Sequence, residues 1–372
     1  MELLEKILTN DNLNRAYQKV YSKQGAPGVD GITVEELKDY LKAHKDEIIT
    51  KIKDGTYEPQ PVRRVEIPKD NGDTRKLGIP TVVDRVVQQA IVQILSPIYE
   101  QIFHKHSYGF RPRRSCEMAI IKALEIMNKG NDWIVDLDLE KFFDKMNRDK
   151  LIAIIAKNVK DEDLLLLIQK IISCGVMENG VIKLATKGIP QGGNLSPLLG
   201  NIMLNELDIE LKATGLQFVR YADDFMVFTN SETEANHVLL SITKWLEEEF
   251  ELKVNTEKSK VSKPAGIKFL GFGFWVVKKG EYKPTVHVSS IEKFKIDLCQ
   301  LNKNSKGLRK NHNTKQIDDL IKGWVDYFKI ANIEEVFKQI ENDYEGHIKT
   351  TMWKHFDRCQ QIQKKSPHKS NL

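Results

Sequence analysis

Residues 218–228, FVRYADDFMVF, set two adjacent aspartates inside an apolar run of β-forming residues. Phe218, Val219 and Tyr221 lie before the pair, and Phe225, Met226, Val227 and Phe228 follow it. In a straight strand Asp223 and Asp224 would point to opposite faces, one of them into the core. At the tip of a tight hairpin both can face one point. Two carboxylates held that close raise each other's pKa and oppose folding unless a cation lies between them. A solvated Asp-Asp turn would explain the pair taken alone, so a metal reading requires another carboxylate elsewhere in the chain.

VDLDLEKFFD, residues 135–144, supplies it. WIVDLDL (133–139) reads as a short buried strand, and alternation puts Asp136 and Asp138 on one face of it. Carboxylates from two neighbouring strands, with carbonyl and water oxygens, suit Mg2+, which takes an oxygen-only shell. A pair of such ions would activate an attacking oxygen and stabilise a leaving one, as in nucleotidyl transfer. Capping of a strand end is the other account of Asp136 and Asp138, and composition does not choose between them.

The totals are those of an ordinary soluble globular protein. The chain has 372 residues, 41% hydrophobic and 29% charged, enough for two or three domains. Cys116, Cys174, Cys299 and Cys359 are scattered without a Cys-x-x-Cys, so neither a zinc site nor a disulfide framework is expected, and a reducing cytoplasm fits. No apolar run approaches a membrane span, and MELLEKILTN carries acids where a signal peptide needs an apolar region. The net charge is +5, and positive charge concentrates from Lys278 onward, behind a near-neutral body. That distribution suggests a polyanion-binding module at the C-terminal end.

Local signals sketch the elements. Thr33 and Glu36 form a capping box, and Leu37, Tyr40, Leu41, Ile48, Ile49 and Ile52 continue at helical spacing to Asp54-Gly55. VRRVEIPKDNGDTRKLGIP (62–80) reads as a hairpin turning at Asn71-Gly72 in a type I′ turn. Thr81 opens a helix to about His104, and residues 149–173 read as helical. Ser196 and Pro197 suit the start of a helix that ends before Gly215. Strands are expected up to about Val277. Three helices should follow, one capped by Ser289 and Glu292, with apolar stripes at Ile317, Leu320, Ile321, Trp324 and Phe328 and at Ile333, Val336, Phe337, Ile340, Tyr344 and Ile348. Those stripes, and Trp324 and Tyr327, read as bundle core before they read as a base-stacking surface.

YADD after an apolar strand, DLEKFFD upstream and GIPQGGNLSPLLGNIMLNELD between them resemble the palm of a reverse transcriptase. More narrowly, the chain resembles bacterial group II intron reverse transcriptase/maturases. GAPGVDGIT (25–33) is similar to their N-terminal region, VEIPKDNGDTRKLGIPTVVDRVVQQAI and HSYGFRPRRS to their fingers, NTEKSKV and FLGFGF to their late palm, and LIKGWVDYFK to their thumb. The PQG block and the lack of a Val-Thr-Gly signature set it apart from diversity-generating and retron enzymes.

The resemblance implies an α+β fold: a right-hand polymerase with reverse-transcriptase fingers and palm, followed by an α-helical thumb or maturase domain. Its division would be an N-terminal helical extension at 1–60, fingers and palm at 61–284, thumb at 285–356 and a polar tail at 357–372. It implies Asp138, Asp223 and Asp224 as the catalytic carboxylates, with the Leu139 carbonyl as a further ligand of two Mg2+ ions, for which Mn2+ can substitute. Asp136 is left as a supporting residue. Lys69 and Arg75 become triphosphate grips, since an ammonium and a forked guanidinium suit phosphate oxygens. Phe143 becomes the ring that leaves no room for a 2′-hydroxyl, with Phe142 as core, and Gln191 lines the nucleotide pocket. Tyr221 and Ala222 support the carboxylates. Lys258 supports the floor of the site, with Lys260 as its rival, and Arg111 is template-side or structural.

The implied partners are an RNA template, a DNA or RNA primer, deoxynucleoside triphosphates and group II intron RNA, with no membrane; assembly as monomer or dimer stays open. Endonuclease activity is not expected, because the family's endonuclease segment lies beyond the thumb. The alternatives are a splicing maturase with an idle polymerase and a host-recruited reverse transcriptase used in DNA repair or phage defence.

Overall fold

The computed structural model describes residues 2–68, 74–278, 280–303, 310–344 and 346–365. The strands among them, in chain order, begin with β1 (Val62–Pro68), β2 (Thr74–Ile79), β3 (Trp133–Leu137), β4 (Val176–Glu178) and β5 (Val181–Lys183). They continue with β6 (Gln217–Tyr221), β7 (Asp224–Thr229), β8 (Lys260–Ser262), β9 (Phe272–Lys278) and β10 (Glu281–Val286). The chain forms two compact units, each assembled from separated segments.

The first unit holds Met1–Pro112, Asp138–Thr214 and Ser241–Thr256. Its sheet runs β2-β1-β4-β5, with β1 antiparallel to β2 and parallel to β4. The helix Val82–Glu100 is buried on every side through its first half, so it serves as the unit's central post. Its start is specified locally: Thr81 Oγ1 accepts from the Asp84 amide and donates to the Asp84 carboxylate at 2.6 Å. Asp84 also accepts from the Tyr57 hydroxyl at 2.7 Å, and burial raises both pKa values. The capping box forms as expected, with Thr33 and Glu36 exchanging bonds just before the helix Leu37–Lys53.

Three details depart from the sequence reading. Residues 149–173 are two helices, Arg148–Asn158 and Glu162–Ser173, because the Asp161 carboxylate caps the second by accepting from Leu164 and also accepts from Leu4. Ser196 is the first helical residue of Ser196–Ala213 rather than its cap, and its hydroxyl donates to the Pro190 carbonyl at 2.7 Å. The β4–β5 hairpin is an addition. Its turn is Asn179-Gly180, with φ of 52° and 80°, the two positive values of a type I′ turn. The Asn71-Gly72 turn lies outside the described residues.

The second unit holds Arg113–Leu137, Gly215–Leu240 and Glu257–Leu372. Its main sheet runs β6-β7-β3-β8, antiparallel throughout, and β9 pairs with β10 in a separate hairpin. The C-terminal part has four helices among the described residues, Val288–Lys303, Lys310–Phe328, Ile333–Ile340 and His347–Lys365, one more than the sequence led us to expect. Trp324 stacks between Phe294 and Phe337, with ring centroids 4.5 and 5.8 Å away, so it is core. The capping box expected at Ser289 does not form. The helix begins at Val288, and the His287 ring accepts from the Ser289 amide while Ser290 bonds the Gly271 carbonyl.

The stretch after β7 is also a correction. Glu232–Phe250 is a helix where the sequence reading continued strands. Ala235, Val238, Ile242, Leu246 and Phe250 are buried, and their spacing is that of one helical face.

Candidate active site

The question posed by FVRYADDFMVF is answered by a two-residue turn. Tyr221 pairs with Asp224, so Ala222 and Asp223 form the loop between β6 and β7. Ala222 has φ +58° and Asp223 is not left-handed, which is the signature of a type II′ turn. Glycine is the ordinary residue at that first position, and an alanine there carries a strain of about 1–2 kcal/mol. Asp223 is half-buried at the tip and Asp224, the first residue of β7, is exposed.

A residue the sequence did not single out holds this turn. Arg220 is fully buried; its guanidinium donates to the Ala222 carbonyl at 3.1 Å and sits 5.6 Å from the centre of the Phe225 ring. An arginine is rarely buried without a paired or bonded purpose, but nothing in the sequence shows that this one is. On the other flank, the Tyr221 hydroxyl lies beside the Cys116 thiol, and burial together with that thiol pushes its pKa up to about 12.

β7 carries the register to β3. Asp136 pairs with Met226 and Leu137 with Phe225, while β8 places Lys260 opposite Asp136. The ladder therefore ends one residue before Asp138 on one strand and one residue after Asp224 on the other. Asp136 lies within the ladder. Lys260 bonds the Gly266 carbonyl at 2.6 Å, and Lys258 is exposed in the turn ahead of β8.

In the first unit, Asp138 leads into a short antiparallel bridge between Leu139 and Val254. Its bonds run from Asn255 N–H to the Asp138 carbonyl (2.8 Å) and from Glu140 N–H to the Lys253 carbonyl (2.9 Å). The Leu139 carbonyl takes no part in that pair. Among the described residues no three His, Cys, Asp or Glu side chains are gathered so as to hold a metal ion. The donors present, half-buried aspartates and a backbone carbonyl outside its ladder bonds, are nevertheless hard oxygens, the kind a Mg2+-type ion takes.

In the same unit, backbone bonds tie the segment of Phe143 to that of Gln191, and the latter to β2. Phe142 is buried and Phe143, next in line, is partly exposed. The Phe143 carbonyl accepts from the Ile189 amide and the Met146 carbonyl from the Gly188 amide, both at 2.8 Å. Arg148 braces this loop by donating to the carbonyls of Gly188 (2.6 Å) and Ala185 (2.7 Å). Two residues on, the Gln191 carbonyl accepts from the Gly78 amide of β2 at 2.6 Å. Gly192 (φ +113°) lies so close that a Cβ there would be 2.4 Å from the Gly78 carbonyl oxygen. The glycine is thus required twice, by conformation and by space. Arg75 stands exposed on β2, opposite Ile67. Lys69 lies outside the described residues. Arg111 is buried, with paired bonds to Glu100 at 2.9 and 3.1 Å and further bonds to the His104 and Ser107 carbonyls at 2.7 Å, which is a structural engagement.

The second unit thus carries a strand hairpin tipped with adjacent carboxylates, and the first carries a hairpin on which Arg75 is exposed. Residues 67–274 match the family described as reverse transcriptase (RNA-dependent DNA polymerase), and residues 291–369 match the group II intron maturase-specific domain. The chain belongs to the reverse transcriptase family, in its group II intron branch. It is 32% identical to "Protein YkfC" of Escherichia coli over 330 residues, covering 78% of this chain and 86% of that protein. It is 42% identical to "Group II intron-encoded protein LtrA" of Lactococcus lactis over 207 residues, covering 55% of this chain and 34% of that protein. A third relative, "Putative COX1/OXI3 intron 2 protein" of Saccharomyces cerevisiae, is 29% identical over 319 residues, 69% of this chain and 37% of that protein. Against the latter two, this chain spans about a third of the relative's length. Reverse transcriptases generally use divalent metal ions. No helix among the described residues is long and apolar enough to cross a membrane.

Proposed function

We propose that this chain extends a DNA or RNA primer with deoxynucleotides on an RNA template, and binds group II intron RNA as a splicing maturase. The observation that carries the polymerase reading is the β6–β7 turn, with Asp223 at its tip and a ladder to β3 that ends at Asp138's neighbour. Asp138, Asp223, Asp224 and the Leu139 carbonyl would hold two Mg2+ ions, or Mn2+ in their place. Bound there, such ions supply charge compensation at the attacking and leaving oxygens. Asp136 stays outside that set.

The protein's own contribution is positioning. Arg75 and Lys69 bind the triphosphate through charge-assisted bonds. Gln191 and the bare backbone of Gly192 line the nucleotide pocket. The half-exposed Phe143 ring meets the sugar and leaves no room for a 2′-hydroxyl. Tyr221, Ala222 and Arg220 fix the turn, and Lys258 supports the floor. The basic C-terminal region follows the phosphates of the primer–template duplex, whose geometry is read by shape more than by sequence. Fingers and palm at 61–284 and thumb at 285–356, after an extension at 1–60 and before a tail at 357–372, remain the division we attach to this reading, in a cytoplasmic protein.

The test compares two aspartates two residues apart. Asp138→Asn should abolish primer extension on an RNA template in Mg2+, while Asp136→Asn should keep measurable activity. If Asp136→Asn is as inactive as Asp138→Asn, the assignment of the ligand is wrong; if Asp138→Asn extends normally, the polymerase reading falls.

A further inference from the structure

Gly200 lies inside the buried helix Ser196–Ala213, where glycine is the poorest residue after proline. Its φ is not in the left-handed range, so the backbone itself would accept an alanine. Space does not. A Cβ at position 200 would lie 3.3 Å from both Cε1 and Cζ of Phe143 and 3.4 Å from Cε1 of Phe142. Those distances are tighter than ordinary van der Waals contact, so one of the rings would have to move by a few tenths of an ångström.

Only one of the two rings can give way. Phe142 is buried, and in a close-packed interior it has nowhere to go. Phe143 meets Phe142 edge to face at 5.1 Å, and its backbone is fixed by the Ile189 amide. Phe143 is partly exposed, so its ring has freedom that the buried Phe142 lacks. A side chain at position 200 would therefore push the tip of the Phe143 ring away from the helix.

We propose that Gly200 is a positioning residue for sugar selection: the missing side chain sets how deeply the Phe143 ring seats, and so how much room is left beside it for the sugar. This rests on the reading of Phe143 as the ring that excludes a 2′-hydroxyl. Gly200 touches no nucleotide; it acts through the ring. The sequence stretch that carries it, NLSPLLGN, contributes Ser196 and Pro197 to the helix start, but its glycine has no helix-forming purpose of its own.

Single-nucleotide extension with matched ribo- and deoxynucleotides tests this in Gly200→Ala, Phe143→Val and the double variant. Gly200→Ala should raise the KM for deoxynucleotides on the order of tenfold, with kcat within about twofold of the parent. Its use of ribonucleotides should fall further still. In Phe143→Val, where Cε1 and Cζ are absent, adding Gly200→Ala should leave both KM and the sugar ratio where Phe143→Val put them. A purely structural role for Gly200 would lower active enzyme equally in both backgrounds, without moving KM.

If Gly200→Ala keeps the parent KM and sugar ratio while Phe143→Val loses the ratio, the inference is overturned and the role of Phe143 stands. If Phe143→Val keeps the parent ratio, the reading of Phe143 fails and the inference with it. Should Gly200→Ala not yield folded protein, the double variant decides: recovery of folded protein supports the ring contact, and no recovery overturns it.

Discussion

Two hairpins in this chain turn in two residues, and they are built on opposite principles. The β4–β5 turn is Asn179-Gly180, with φ of 52° and 80° and residues that adopt positive φ at little cost. The strands it joins are short, and Val181, Ile182 and Leu184 beside it are exposed. The β6–β7 turn is Ala222-Asp223, with an alanine at φ +58° and a carboxylate at the tip. Its strands are buried, and Arg220 is held at 0% exposure beneath it with a bond to the Ala222 carbonyl. A turn that serves only connection takes the residues its dihedrals ask for. The β6–β7 turn, which on the proposed function presents Asp223 and Asp224, accepts strain, and the surrounding core holds it in place.

That contrast can be broken or sharpened by substitution. The largest effect is expected at Arg220→Leu, which removes a fully buried guanidinium and its bond to the Ala222 carbonyl. Urea denaturation should show a loss of about 2–4 kcal/mol, and a loss near zero would mean that the turn holds itself. Next, Gly180→Ala forces a Cβ into a left-handed position and should cost about 1–2 kcal/mol. Primer extension at a temperature where the variant is folded should remain within about twofold of the parent, because none of the proposed site residues lies in this hairpin. The smallest effect has the opposite sign. Ala222→Gly relieves the positive φ at the price of greater chain freedom in the unfolded state, so it should stabilise by about 0.5–1 kcal/mol. A destabilising Ala222→Gly would show that the turn is not strained.

Much of this was readable from residues because it is local. The Thr33–Glu36 box, the Thr81 cap and the end of a helix ahead of Gly215 each depend on neighbours a few positions away, and each is found. The helix Glu232–Phe250 was missed because it is flanked by strand-forming stretches, although its buried residues repeat at helical spacing. His287 as a cap was missed because imidazole is not among the usual capping residues, and Ser289 two positions on is. The break at Asp161 could have been read, since an aspartate before Glu-Asp-Leu-Leu is a cap signal.

Of the candidate site, the aspartates stood out as charge in an apolar run, whereas their partners did not. Arg220 and Arg148 act through backbone carbonyls contributed by folded turns and loops, and no side-chain pattern announces that. The choice of Phe143 over Phe142 came from resemblance, and the structure adds that Phe142 is buried while Phe143 is partly open. Gly200 was invisible for the same reason as the arginines, because what excludes its side chain is a ring far away in sequence.

The central claim is that the β6–β7 turn exists to present a catalytic carboxylate, and the most direct test is extension of a primer on an RNA template, in Mg2+, by Asp223→Asn. The substitution removes charge while keeping shape, and the residue is half-buried in a turn set by its neighbours, so the thermal midpoint should stay near that of the parent. The account predicts folded protein with no detectable extension, alongside a Gly180→Ala control that extends its primer. Parent-level extension by folded Asp223→Asn would contradict it.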